Sequence, residues 1–508
     1  MPEESRVPVL VGVGQLRANR ERTTTGAREP LALMVEALEL AAADAGAPQL
    51  LRQADTVHAI RTASWAYADL AATVAARVGA APRTAADTAL GGHLPARLLD
   101  TAAAAIAAGT SRVALLVGGE AQASVGALGK AGVDPVAELG WSAEPGGPPP
   151  LDLDQLGTPA QLEAGLFLPA RVYPLHENAL QAALGLTPQE NAEWSARLYA
   201  DYSAVAAGHP TAWNQERRTP EEIGTVGPGN RMVCEPYPLA MNAMPHVDQA
   251  AAVIVTSLAV ARAAGVPEDR LTHVWGGAGA DDDPDPLRRT RFDRSEALAA
   301  ALDRTLAAAS LTAQDLALVD VYSCFPVVPK LAALHLGLPR EAVLSVAGGH
   351  SSFGGPLNTY SLHAIATAAQ RLRGTDGVGL VHANGGYLSY QHGVLLSGRP
   401  HPEGYVGRPE PVAVGHPHAP PLLPATEAGG QELVVETATV EHGRDGAPQQ
   451  AFVVGRTSAG QRVALPSAPG DTATAAALSL AALSGGATTQ VGRTVSVVSR
   501  DGTAAVAV

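Results

Sequence analysis

The residues able to do chemistry in this chain are few and identifiable. Its 508 residues hold two cysteines, Cys234 and Cys324. Two are too few for a disulfide framework or a Cys-rich zinc site, and they fit a reducing compartment. Two glycine pairs, Gly91-Gly92 and Gly354-Gly355, each lead into an apolar, Ala-rich stretch. A helix that begins at such a turn offers unpaired backbone N–H groups and a partial positive charge. Those features hold an oxyanion and lower the pKa of a nucleophile placed there. Glycine at the turn lets the backbone approach a ligand closely. No HExxH, Cys-x-x-Cys or Gly-x-x-x-x-Gly-Lys pattern occurs. The acidic run DDDPD at 281–285 lacks the glycine and closing glutamate of a calcium loop and reads as a solvated loop.

The elements that must position these turns form an internal repeat. Residues 91–106, GGHLPARLLDTAAAAI, match 354–369, GGPLNTYSLHAIATAA. Each pair of glycines opens an apolar helix, and each helix is followed by a strand ending in Gly-Gly: RVALLVGGEA after the first, GVGLVHANGG after the second. Upstream of both copies lies a further helix, turn and strand. Two copies of this order predict a duplicated α/β domain. The segment between the halves, about 121–245, is too long for a loop and predicts an inserted subdomain. It is rich in Gly and Pro early (EPGGPPPLDLDQLG) and helical later.

The chain is expected to divide into an N-terminal half (1–120), the insertion (121–245), a C-terminal half (246–398), a Pro/Gly-rich linker (399–430) and a small domain (431–508). The last reads as short strands with one helical patch, TATAAALSLAALSGG, and predicts a small β-barrel, most like an OB-fold. Residues 426–508 carry five arginines against seven acidic residues, and Phe452 is their only aromatic. That excludes the basic groove and stacking platforms of a single-strand binder. A net charge of -14 argues against nucleic acid for the whole chain. The start, MPEESRVPVLVGVGQ, lacks signal-peptide character, and no apolar run reaches the roughly 20 residues of a membrane span. A cytoplasmic protein without nucleic-acid or membrane partners is expected.

Six motifs in order resemble the thiolase superfamily over about residues 6–398: VGVGQ at the first strand, GGHLPARLLDTAAAAIAAG at the nucleophile turn, MNAMPHVDQAAAVIV, VDVYSCF, GGHSSFGGPLNTYSLHA and HANGG. The resemblance implies a five-layered α-β-α-β-α core, a cavity for coenzyme A thioesters and no permanently bound cofactor. Acyl-CoA would be substrate or ligand, and a homodimer pairing through the edge strand of the N-terminal half is expected, with a monomer as the alternative if the last domain covers that edge.

The departures from the family pattern fall on its reactive groups. The nucleophilic cysteine would stand at Gly92, the histidine of Gly-His-Pro at Gly355, and the second cysteine near His382 or Ala383. Tyr322 and Ser323 replace the Asn-Glu or His-Asp pair. Glycine forms no acyl-enzyme, so thiolysis through residue 92 is excluded. The resemblance leaves Tyr322, Cys324, His93, Tyr360 and His363 as candidate catalytic residues, with His350 and Tyr387 beside them. Gly92, Gly354, Gly355, Asn242, Met244, His246, Asn384 and Gly385 are candidates for holding substrate. Three functions stay open: an acyl-CoA acyltransferase-like enzyme with a remodelled centre, a retro-aldol carbon–carbon lyase on β-hydroxyacyl-CoA using tyrosine as acid or base, and a non-catalytic acyl-CoA binder.

Overall fold

The computed structural model describes residues 3–149, 157–484, 486–500 and 503–508. Part of the Pro-rich start of the insertion, 150–156, lies outside them. The first half contains β1 (Pro8–Arg17), β2 (Thr56–Ala59), β3 (Thr84–Asp87) and β4 (Val113–Ala121). The insertion adds two short strands, β5 (Met232–Cys234) and β6 (Tyr237–Pro238). The core resumes with β7 (Asp248–Ser257), β8 (Thr272–Asp281), β9 (Leu316–Val321), β10 (Val378–Gly385) and β11 (Tyr390–Ser397).

The duplication expected from the repeat is present in the strand pairing. In the first half the order is β3-β2-β4-β7-β1, and in the second β9-β10-β11-β8. In each, the first strand of the half lies antiparallel to its last one. That last strand runs antiparallel to a third, which pairs in parallel with the next strand outward. β1 and β8 join the halves through Val9–His273 and Leu10–Thr272. β7 pairs with β4 and β1, so this strand, which the sequence reading placed in the C-terminal half, completes the sheet of the N-terminal one.

Helices Leu94–Ala108 and Tyr360–Leu372 touch one another and contact strands of both halves, while Pro30–Ala45 and Glu296–Ala308 cover the outer faces. The result is helix, sheet, helix pair, sheet, helix. Pro95 sits in the first turn of Leu94–Ala108, where its missing N–H costs nothing, and Gly109 closes that helix at φ 75. The second central helix is buried almost all round, as its position between two sheets requires.

Two expectations about the C-terminal region change. The segment 399–430 is not a free linker. Its β12 (Arg408–Ala413) pairs in parallel with β8, and Tyr405 donates its hydroxyl proton to Asp100 Oδ1 at 2.6 Å. Beyond it, β13 (Glu432–His442), β14 (Pro448–Arg456), β15 (Arg462–Pro466), β16 (Thr494–Arg500) and β17 (Thr503–Ala507) form a sheet in the order β15-β14-β13-β16-β17. This is not a closed barrel. Between the two edges runs a single bridge, Ser467–Val506, rather than a ladder, and β5 of the insertion joins β13 at Cys234–Glu441. Helix Thr472–Leu478 contributes Ala475 and Leu478 to the core beneath β13 and β14.

Candidate functional site

A cavity of about 480 Å³ lies where the two central helices begin. Gly91 and Gly92 line it ahead of Leu94, Gly355 and Leu357 ahead of Tyr360, Tyr322 and Cys324 after β9, and Asn384–Tyr387 at the end of β10. The helix starts are clipped together: Asn358 Oδ1 accepts from Gly91 N at 3.0 Å, and Ser361 Oγ donates to Gly92 O at 2.8 Å. The insertion closes one side with Pro169, Ala170 and Tyr173, and Asn242, Ala243 and Pro245 stand at the entry to β7.

The central relationship is between Gly92 and Tyr322. A Cβ at residue 92 would overlap the Tyr322 hydroxyl and lie 2.6 Å from Asn384 O. The phenol therefore fills the space in which a nucleophile at this turn would begin. Tyr322 Oη makes no hydrogen bond to the described residues. Its ring centroid lies 4.2 Å from that of His350, which stacks at 3.6 Å on Tyr360. Burial holds the Tyr322 phenol well above its usual pKa and the His350 imidazole well below its own, so both are neutral proton carriers at pH 7. At Gly355, by contrast, a Cβ would meet only ordinary contacts, Ala243 Cβ at 3.4 Å being among the nearest.

Cys324 is poorly placed as a nucleophile. Burial pushes its thiol up to about 12, and its polar neighbours are Tyr173 and the Asn384 amide, at 4.0 Å. A nucleophilic thiol needs a lowered pKa or a base at hand. Asn384 is held by a buried chain: Gln391 Nε2 donates to Asn384 Oδ1 at 2.7 Å and pairs through Oε1 with His382 Nε2 at 2.9 Å. Asn384 Nδ2 donates to Tyr173 Oη at 2.8 Å, and Tyr173 donates to Gly386 O at 2.8 Å. Tyr387 donates to Phe167 O.

Of the residues expected in the site, Tyr322, Cys324, Gly92, Gly355, Asn242, Asn384 and Gly385 line the cavity, with His350 and Tyr387. Six others do not. His93 turns beneath Gly385 and stacks on Tyr390 at 5.2 Å. Burial lowers its pKa to about 3, aided by His392 and Arg97. Tyr360 sits behind His350 and accepts from Gly349 N at 3.0 Å. His363 pairs with Gln15 Oε1 at 2.8 Å, and burial lowers it to about 3. Gly354, at φ 116, abuts Gln249. Met244 and His246 are exposed rather than turned into the cavity. Tyr173, Phe325, Asn358 and Tyr390 line it without having been singled out. Nothing local says that the insertion folds back over the core to bring Tyr173 there. Among the described residues, no cluster of His, Cys, Asp and Glu could hold a metal, and no helix is long and apolar enough to cross a membrane.

A family model described as the thiolase-like protein type 1 additional C-terminal domain matches residues 411–503. Among solved structures, a monomeric SCP2-thiolase-like protein type 1 from Mycobacterium smegmatis superposes over 100% of both chains, with a TM-score of 0.79 and 28% identity. The Ltp2–ChsH2(DUF35) aldolase matches over 77% of this chain and 98% of its own, with a TM-score of 0.59 and 20% identity. Acat5 thiolase from Ascaris suum, solved with coenzyme A, matches over 77% and 99%, with a TM-score of 0.54 and 13% identity. The last two share the fold alone. A search of curated proteins gives no match. The duplicated core, the cavity between its central helices and the matched terminal domain make this chain a thiolase-superfamily protein with an additional C-terminal domain.

Proposed function

We propose that the cavity binds an acyl-CoA thioester non-covalently and that no acyl-enzyme forms. One observation carries this: the Tyr322 hydroxyl occupies the place of the missing nucleophile's side chain, in a cavity whose one thiol is pushed up to about 12. The helix start at Gly92, beyond the Gly91 N–H that Asn358 takes, supplies N–H groups and dipole toward a thioester carbonyl. The pantetheine arm runs between Pro169–Tyr173 and Asn242–Pro245, and the acyl group lies against Tyr322, Phe325 and Leu357. Calorimetry with coenzyme A, acetyl-CoA and a β-hydroxyacyl-CoA tests it. Micromolar to sub-millimolar binding supports the reading, and no binding at millimolar concentration removes it.

A second reading, retro-aldol cleavage of a β-hydroxyacyl-CoA, is favoured by the unpartnered hydroxyl of Tyr322 beside a neutral His350. The β-hydroxyl proton passes to the neutral His350 imidazole as the Cα–Cβ bond breaks and the carbonyl product forms, Tyr322 gives its proton to Cα, and His350 returns a proton to the Tyr322 phenolate. Release of an aldehyde or ketone with the shortened acyl-CoA would support it. An acyltransferase reaction through Cys324 has weaker geometric support.

We propose a homodimer paired through β3, whose residues are mostly exposed at the sheet edge. The M. smegmatis neighbour is described as monomeric. Sedimentation of this chain at micromolar concentration showing only monomer would refute the dimer.

A further inference from the structure

The C-terminal domain reaches the cavity through intervening segments, and one of them is helix Pro169–Ala183 of the insertion. That helix has two working faces. One carries Pro169, Ala170 and Tyr173 to the cavity, and continues to Glu177, whose Oε1 pairs with the buried Lys330 at 2.6 Å. The other carries Arg171, Leu175 and Asn178, spaced as a single helical stripe, to the C-terminal sheet. Arg171 donates from Nη2 and Nε to Glu441 Oε2 at 2.7 and 3.1 Å, and its guanidinium lies 4.5 Å over the Phe452 ring. Thr437 Oγ1 donates to Leu175 O at 2.6 Å, and Asn178 Nδ2 donates to Ala438 O at 2.7 Å. Phe452 also closes on Gly165, one turn ahead of the helix, so that no side chain fits there.

The domain is in turn anchored to the core half. The fully buried Arg462 guanidinium pairs with Glu436 and donates to the carbonyls of Leu287, Arg289 and Thr290. The cavity-lining helix is thus clamped between the core and a rigidly seated sheet.

We propose that the C-terminal domain serves to hold the cavity closed around its ligand, with Glu441 and Phe452 as positioning residues for Tyr173. The chain of contacts runs from Glu441 and Phe452 to Arg171, along the helix to Tyr173, and from its hydroxyl to Asn384 and Cys324. Loosening the first contact frees the last. This rests on the reading of the cavity as a ligand site, but its test does not need the ligand.

The test is alkylation of Cys324 in the full-length chain by iodoacetamide, followed by peptide mapping, which separates Cys324 from the buried Cys234. Glu441→Gln and Phe452→Leu are expected to raise the Cys324 rate by about threefold to tenfold, the range for losing one partly exposed ion pair or cation–π contact. Val463→Ala is a control. It opens a hole in the C-terminal core away from this helix and should lower Tm without changing the rate. Acetyl-CoA binding should weaken in the first two variants and not in the third. Unchanged Cys324 rates in Glu441→Gln and Phe452→Leu, or an equal rise in Val463→Ala, would overturn the proposal. Absence of acetyl-CoA binding even in the wild type would instead count against the acyl-CoA reading, leaving the alkylation rates to decide this one.

Discussion

The hydroxyl of Tyr322 occupies the space into which a side chain at Gly92 would grow. This explains why two departures from the thiolase pattern occur together: a cysteine at 92 and a tyrosine at 322 cannot share that space without backbone movement.

Gly92→Cys is therefore expected to lower stability by about 1–3 kcal/mol through overpacking and to give no thiolase activity. Adding Tyr322→Ala removes the clash but also the ring packed on His350, so neither stability nor turnover should recover, the latter because Gly355 still supplies no base. Thermal unfolding and a thiolysis assay check both halves.

If the chain turns over a β-hydroxyacyl-CoA, Tyr322→Phe should reduce kcat by about a hundredfold, the usual scale for losing a positioned proton donor. Cys324→Ala should leave kcat nearly unchanged, since its thiol carries no charge at neutral pH. Steady-state kinetics on both variants give the ranking, and the reverse order would favour a Cys324 acyl-enzyme.

Asn384→Ala should cost about 1–3 kcal/mol in urea unfolding, because it strands the buried Gln391 amide and removes the donor to Tyr173. Asn384→Asp keeps an acceptor for Gln391 but buries a carboxyl with no cationic partner, and should cost at least as much at pH 7.

Acid should unfold the protein early. Burial depresses His93, His176 and His363 to about 3 and His209, His273 and His382 to about 4. A folded-state pKa below the unfolded one gives stability that is complete above about 6.5 and is lost as pH falls toward the folded value. Burial raises Glu120 to about 7 and Asp248 and Asp320 to about 6, and these act in the opposite sense, losing stability as pH rises toward 7. His350 is held low in the same way, and the lowered histidines outweigh the raised carboxyls, so unfolding near pH 5.5 should take up protons and Tm should fall steeply from pH 6.5 to 4.5. A Tm flat over that range would show that these groups are not buried as described.

The architecture was largely legible because it is written twice: the two Gly-Gly turns, their Ala-rich helices and the strands ending in Gly-Gly gave the duplicated halves and placed Gly92 and Gly355 at one cavity. Motif position alone brought Tyr322, Cys324 and Asn384 there. What failed was facing. Helix Tyr360–Leu372 is buried on all sides, so its pattern does not say that Tyr360 and His363 point away from the cavity. His93 adjoins Gly92 in sequence, yet the close approach of Gly385 draws its ring underneath. Tyr173 arrives through packing between distant segments, which no local signal records. In the C-terminal domain the strands were recognised, but closure depends on edge pairing that strand patterns do not specify.

The central claim is non-covalent binding at Tyr322, and intact-protein mass spectrometry after incubation with acetyl-CoA tests it most directly. Under native conditions the protein should gain the mass of one whole acetyl-CoA, and under denaturing conditions that gain should vanish. An acetyl group retained on Cys324 after denaturation, or no complex under native conditions, would contradict the account.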